Sequence, residues 1–187
     1  MNPQRTTVLK KKVTKIFLAA VVGLIIWNSA ASAQDSLGSL MEQSGSEFLV
    51  GNWGGESPDD QKYTMEYKWA LKPHVLSVHF KGFDFEYHGI IFFNSSEEQV
   101  VQIGVDSRGN NSKGVWEAEY GKAVMKSEFT GEYGEVSKMG FVYSNVDANT
   151  MKCELYGLDE YGSLGDEPGI TLEYKRQKKT TQKKASQ

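Results

Sequence analysis

From Lys62 to Leu71 the chain alternates without a slip. Tyr63, Met65, Tyr67, Trp69 and Leu71 fall on one side, and Lys62, Thr64, Glu66 and Lys68 on the other. Only an extended strand places residues i, i+2 and i+4 on one face, so this segment reads as a strand with an aromatic face turned to a core. The pattern recurs. His74 to Lys81 sets Leu76, Val78 and Phe80 against Val75, Ser77 and His79; Phe83 to Phe93 sets Phe83, Phe85, Tyr87, Ile91 and Phe93 against Asp84, Glu86 and His88. The end of that run, Gly89 to Phe93, is apolar on both sides, which suggests burial on both faces or a rim covered by an N-terminal helix.

Further strands are read at Gln99–Val105, Gly114–Tyr120, Lys122–Thr130, Met139–Val146, Met151–Leu158 and Ile170–Lys175, separated by turn residues such as Arg108-Gly109-Asn110-Asn111 and Asp147-Ala148-Asn149. With Glu47–Trp53 in front, the count is about ten, at the 8–12-residue spacing of sandwiches and barrels. No segment between them is long and periodic enough for a crossover helix. Consecutive strands joined by short loops pair with their neighbours, and closure removes the two exposed edges of an open meander. The expected fold is all-β, an up-and-down antiparallel barrel of about ten strands, with a two-sheet sandwich as the competing architecture. One short helix is expected over Ser36–Ser44. A transmembrane barrel is disfavoured, because polar faces carrying Lys62, Glu66, Lys68, Lys126 and Glu128 suit neither lipid nor a small lumen.

The two ends read differently from the body. Residues 1–33 have the three parts of an export signal: Arg5, Lys10, Lys11, Lys12 and Lys15, the apolar run Ile16–Trp27, then Ala31-Ser32-Ala33. Cleavage would leave Gln34 first, and the absence of Cys there disfavours a lipid anchor. The expected address is therefore the periplasm or the exterior, with no transmembrane segment in the mature form. Residues 34–46 form a helical lead-in, 47–175 the barrel, and 176–187 a basic disordered tail. Of the 21 Lys and Arg, five lie in residues 1–33 and six in 175–187, leaving 10 against all 24 Asp and Glu in between. A body this acidic repels phosphate backbones, which excludes nucleic acid as a partner. Oligomeric state is left open. The single Cys153 rules out an internal disulfide and reads as a small core residue.

Gly51-Asn52-Trp53-Gly54-Gly55 stands at the head of the meander. This G-x-W-x-G opening resembles the signature of lipocalin-like barrels of the calycin superfamily, in which the Trp plugs one barrel end and glycines let the first strand bend. The stretches Tyr87–Phe93, Asp106–Asn110 and Gly114–Glu117 are similar to an uncharacterised family of small exported bacterial calycin-like proteins. Nitrobindin-type barrels share the opening and hold haem through a histidine late in the chain. Here no histidine follows His88, so haem is not assigned.

Candidates for chemistry are few. Reading the turn at Lys81-Gly82 places His79 opposite Asp84 or Phe85, with His88 one strand-end away. Two histidines with Glu86 could hold a divalent metal, but a solvated face is the preferred reading and no metal is assigned. No G-x-S-x-G elbow supports a catalytic serine, and no catalytic residue is named. Arg108, the only arginine between Arg5 and Arg176, is a possible anion contact at a barrel mouth. Tyr63, Met65, Tyr67, Trp69, Phe85, Tyr87, Phe141 and Tyr143 are the candidate cavity lining, and Gly51, Trp53 and Gly55 the structural signature. The expected function is an exported barrel holding a small apolar or amphipathic ligand without a cofactor. The alternatives are an isomerase-, cyclase- or hydrolase-type enzyme using the same cavity, or a protein-interaction module with a solid core.

Overall fold

The computed structural model describes residues 35–178, and the barrel lies within them. The export-signal reading over residues 1–33, and the tail from residue 179 onward, fall outside the described residues. Ten antiparallel strands close into a barrel in simple chain order, the first pairing with both the second and the last. They are β1 (Gly51–Glu56), β2 (Lys62–Leu71), β3 (Val75–Gly82), β4 (Phe85–Asn94), β5 (Gln99–Asp106), β6 (Asn111–Glu119), β7 (Lys122–Thr130), β8 (Val136–Asp147), β9 (Thr150–Gly157) and β10 (Ile170–Arg176). The expected up-and-down barrel is the fold, and the sandwich is excluded.

Among the described residues, one α-helix precedes the barrel, α1 (Leu37–Ser44). Ser36 and Ser39 form its capping box, and Gly45 ends it in the left-handed region at φ 69°. A single 3-10 turn, Ser46–Leu49, follows. This corrects the strand expected from Glu47: Phe48 and Leu49 belong to that turn, and β1 starts at Gly51. Leu37, Met41 and Leu49 are buried with Trp53 in the core, and Gly38 N donates to Pro73 O at 2.8 Å. The helix therefore closes the end of the barrel that carries the β2–β3 turn. It does not shield the outer face of β4, where Ile90 stays 39% exposed. The expected burial of β4 on both faces is not found there.

Alternation survives almost everywhere. It breaks at Leu71, which is 60% exposed, because the β2–β3 register shifts between Trp69 and Leu71, and at Val101, Val124 and Val142, which have the outward parity yet are buried. Among the described residues, no helix is long and apolar enough to cross a membrane.

Candidate functional site

The closed end is held by the signature residues. Trp53 is buried, and its Nε1 donates to Leu49 O at 2.8 Å. Arg176 lays its guanidinium over the Trp53 ring, 4.1 Å from the centroid. Gly51 sits at φ 145°, and a Cβ there would meet the Arg176 Nη1 atom. Only glycine satisfies both conditions.

Above this plug the interior is filled with rings. Tyr67 meets Tyr143 edge-on at 6.3 Å, and Tyr143 stacks on Trp116 at 5.4 Å. Tyr63 lies against Gly55 and Gly82, where a Cβ would strike its side chain, and its hydroxyl donates to Glu173 O at 2.9 Å. Tyr87 lies in the same way over Gly89 and Gly104. Its oxygen accepts from Gln102 Nε2 at 3.0 Å and stands 2.9 Å from Ser112 Oγ. Gln102 Oε1 in turn accepts from Trp116 Nε1 at 3.1 Å. The chain of donors and acceptors satisfies a polar set inside an otherwise apolar barrel. Desolvation pushes the phenols of Tyr67, Tyr143 and Tyr174 above their usual value, and the Cys153 thiol up to about 12.

Among the described residues, no helix lies over the opposite end. Phe80, Phe85, Phe129 and Phe141 are inward-facing yet only half-buried, with Phe80 and Phe85 at 5.9 Å and Phe129 and Phe141 at 6.2 Å. Phe83, in the β3–β4 turn, is 38% exposed and stacks on Tyr63 at 5.5 Å. Arg108 rises from the β5–β6 turn with its guanidinium 5.7 Å from the Phe85 centroid. Asp106 shapes that turn by accepting from Arg108 N at 2.8 Å and Asn110 N at 2.9 Å. A rim cleft of about 680 Å³ runs past Phe83 and Phe85 between Lys62 and Lys81.

The candidate lining residues therefore separate into three levels. Trp69 belongs with the closed end, where β2 approaches the Pro73 turn. Met65, Tyr67, Tyr87 and Tyr143 are buried in the middle, and Tyr63 is buried nearer the open end, beside Phe83. Phe85 and Phe141 border the open mouth. Gln102, Ser112, Trp116 and Tyr174 join this interior without being among the candidate site residues of the sequence. Gln102 had a usable signal, since it interrupts the apolar run Val100–Val105 on the inward parity.

On the outer face, β3 and β4 pair so that His79 stands directly opposite His88. This corrects the register expected from a turn at Lys81-Gly82. The turn residues are Phe83 and Asp84, at φ 56° and 55°, a primed two-residue hairpin built without glycine. The two imidazoles stack at 4.0 Å and 10°. Glu86 Oε1 lies 2.8 Å from His79 Nε2 and 3.5 Å from His88 Nε2. The His79 hydrogen bond, helped by Lys81, holds the Glu86 carboxyl below the usual glutamate range. His74 is elsewhere, in the β2–β3 turn.

No family model matches this sequence, and no curated protein matches it either.

Proposed function

We propose that the protein is an exported carrier that takes a small amphipathic molecule into the open end of its barrel. The observation that carries this reading is the contrast between the ends. One is sealed by α1, Leu49 and Trp53; at the other, four inward phenylalanines are only half-buried. An aromatic mouth offers apolar area with little side-chain entropy to lose. Arg108 at its edge offers a planar cation for a carboxylate or similar headgroup. A concave apolar site with a few convergent polar groups is the usual form of a small-molecule site. Export rests on residues 1–33, and the Gly51–Gly55 opening is compatible with a calycin-like barrel, whose resemblance favours ligand carriage.

The test is titration of the protein with a fluorescent fatty acid and its alcohol analogue, with native mass spectrometry of material purified without added ligand. The carrier reading expects micromolar binding, tighter for the acid, with Arg108→Ala abolishing that preference. A broad lipophile screen that finds no binding sinks it.

A further inference from the structure

We propose that His79, Glu86 and His88 form a binding site for one divalent cation of the zinc class on the outer face of the β3–β4 hairpin. The three side chains bring their donor atoms within 4.8 Å of one another. Both imidazoles aim Nε2 at the same oxygen, Glu86 Oε1, at 2.8 and 3.5 Å. Zinc bonds of about 2.0–2.2 Å in tetrahedral geometry set donor atoms about 3.4 Å apart. The two separations bracket that value, so a metal could replace the hydrogen between His79 and Glu86 once the side chains turn their donor atoms toward one point. The rings stack at 4.0 Å and 10°, so binding requires them to tilt toward each other until both Nε2 lone pairs meet at one point.

The scaffold is rigid where it needs to be. His79 and His88 sit opposite one another inside a hairpin paired without interruption from Val75↔Phe92 to Gly82↔Phe85. Sites built on strands hold their geometry better than sites on loops. The Glu86 backbone is pinned from the next turn, since its N donates to Ser107 Oγ at 3.1 Å and its O accepts from Ser107 N at 2.7 Å. Lys81 Nζ faces the other carboxylate oxygen at 3.7 Å and is 68% exposed, so it leaves Oε1 to the histidines and can move away. Glu66 on β2 stands opposite His79 and adds negative charge to the same row. Two imidazoles and one carboxylate suit zinc, copper or nickel, and do not suit calcium or magnesium, which take oxygen donors. Three protein ligands leave a fourth position for water.

The experiment is calorimetric titration of the full chain with Zn²⁺ alone at pH 7.5, repeated with Co²⁺ to read visible ligand-field bands. One equivalent should bind, with tetrahedral cobalt bands. Losing a supporting residue around a metal costs about 10–100-fold in affinity, so His79→Ala and His88→Ala should each cost at least tenfold. Glu86→Gln should weaken binding as well, and His74→Ala should leave it unchanged. His88 is 64% exposed, so its variant folds, and circular dichroism verifies this. Absence of zinc binding, or one-equivalent binding that persists in the His79→Ala/His88→Ala double variant, overturns the proposal.

Discussion

Arg176 and Trp53 form the clasp that closes the barrel. The guanidinium lies 4.1 Å over the indole and donates to Val50 O at 3.0 Å, Phe48 O at 3.2 Å and Ala148 O at 3.2 Å. One side chain at the end of β10 thus holds the approach to β1, the 3-10 turn and the β8–β9 turn together. A planar fork is required, because a lysine ammonium can neither stack flat nor reach three carbonyls in one plane.

Arg176→Ala should therefore lose about 2–4 kcal/mol. That range takes about 1.5–3 for hydrogen bonds from a charged group and about 0.5–2 for the cation–π contact, with overlap because they share one side chain. Arg176→Lys should recover part of it. Urea unfolding would register a lower midpoint at unchanged slope, and an unmoved midpoint would show that the clasp contributes nothing.

The buried acids make the fold sensitive to alkali. Tyr67, Tyr143, Tyr174 and Cys153 have native pKa values raised by burial, against about 10 for tyrosine and 8.5 for cysteine when unfolded. The unfolded chain therefore loses these protons first. Their stabilisation is complete below about pH 8, and it fades as pH rises through the unfolded values toward the native ones. Tyrosinate absorbance should rise in a cooperative step that coincides with loss of near-ultraviolet dichroism. With burial pushing its thiol up to about 12, Cys153 stays protonated at pH 8. A thiol reagent should label it only at the rate of unfolding; rapid labelling of folded protein would contradict its burial.

Gln102 supports two partners at once, Tyr87 and Trp116. Gln102→Leu keeps the size and removes both bonds, leaving the Trp116 N–H without its acceptor. The cost of an unsatisfied buried donor is about 1–3 kcal/mol. We expect a loss in that range and a shifted Trp emission. A neutral result would mean that water replaces the amide.

Strand positions were legible because the period of two is a local property of the chain. The sites were legible only in part. The open-end phenylalanines follow from parity, but which end is open depends on α1 docking at Pro73, a contact across sequence that alternation does not encode. Gly82 drew the expected turn two residues early, since glycine is the ordinary turn residue. The Phe83-Asp84 turn carries no such mark, and the His79–His88 pair was hidden with it. In the sequence Arg176 is indistinguishable from the basic tail, with Lys175 and Lys178 beside it; only closure of β10 on β1 reveals its partner. Tyr67, a candidate for the cavity lining, is buried edge-on against Tyr143, whereas the phenylalanines of the open end are half-buried.

That difference separates mouth from core. Phe85 and Phe141 are half-buried at the open end, whereas Tyr67 is 2% exposed. Phe85→Ala and Phe141→Ala should each weaken binding of a fluorescent fatty acid about tenfold or more, since one ring contact is worth about 1.5–3 kcal/mol of apolar burial. Their stability cost should be modest, because solvent already reaches both rings. Tyr67→Ala should instead cost about 3–5 kcal/mol of folding free energy by opening a cavity in a packed interior. Any loss of binding in that variant would follow the unfolded fraction. Equilibrium titrations beside urea melts on all three variants read both quantities. If Tyr67→Ala stays folded and loses binding while the phenylalanine variants bind normally, the ligand lies deep in the barrel and the mouth is only an entrance.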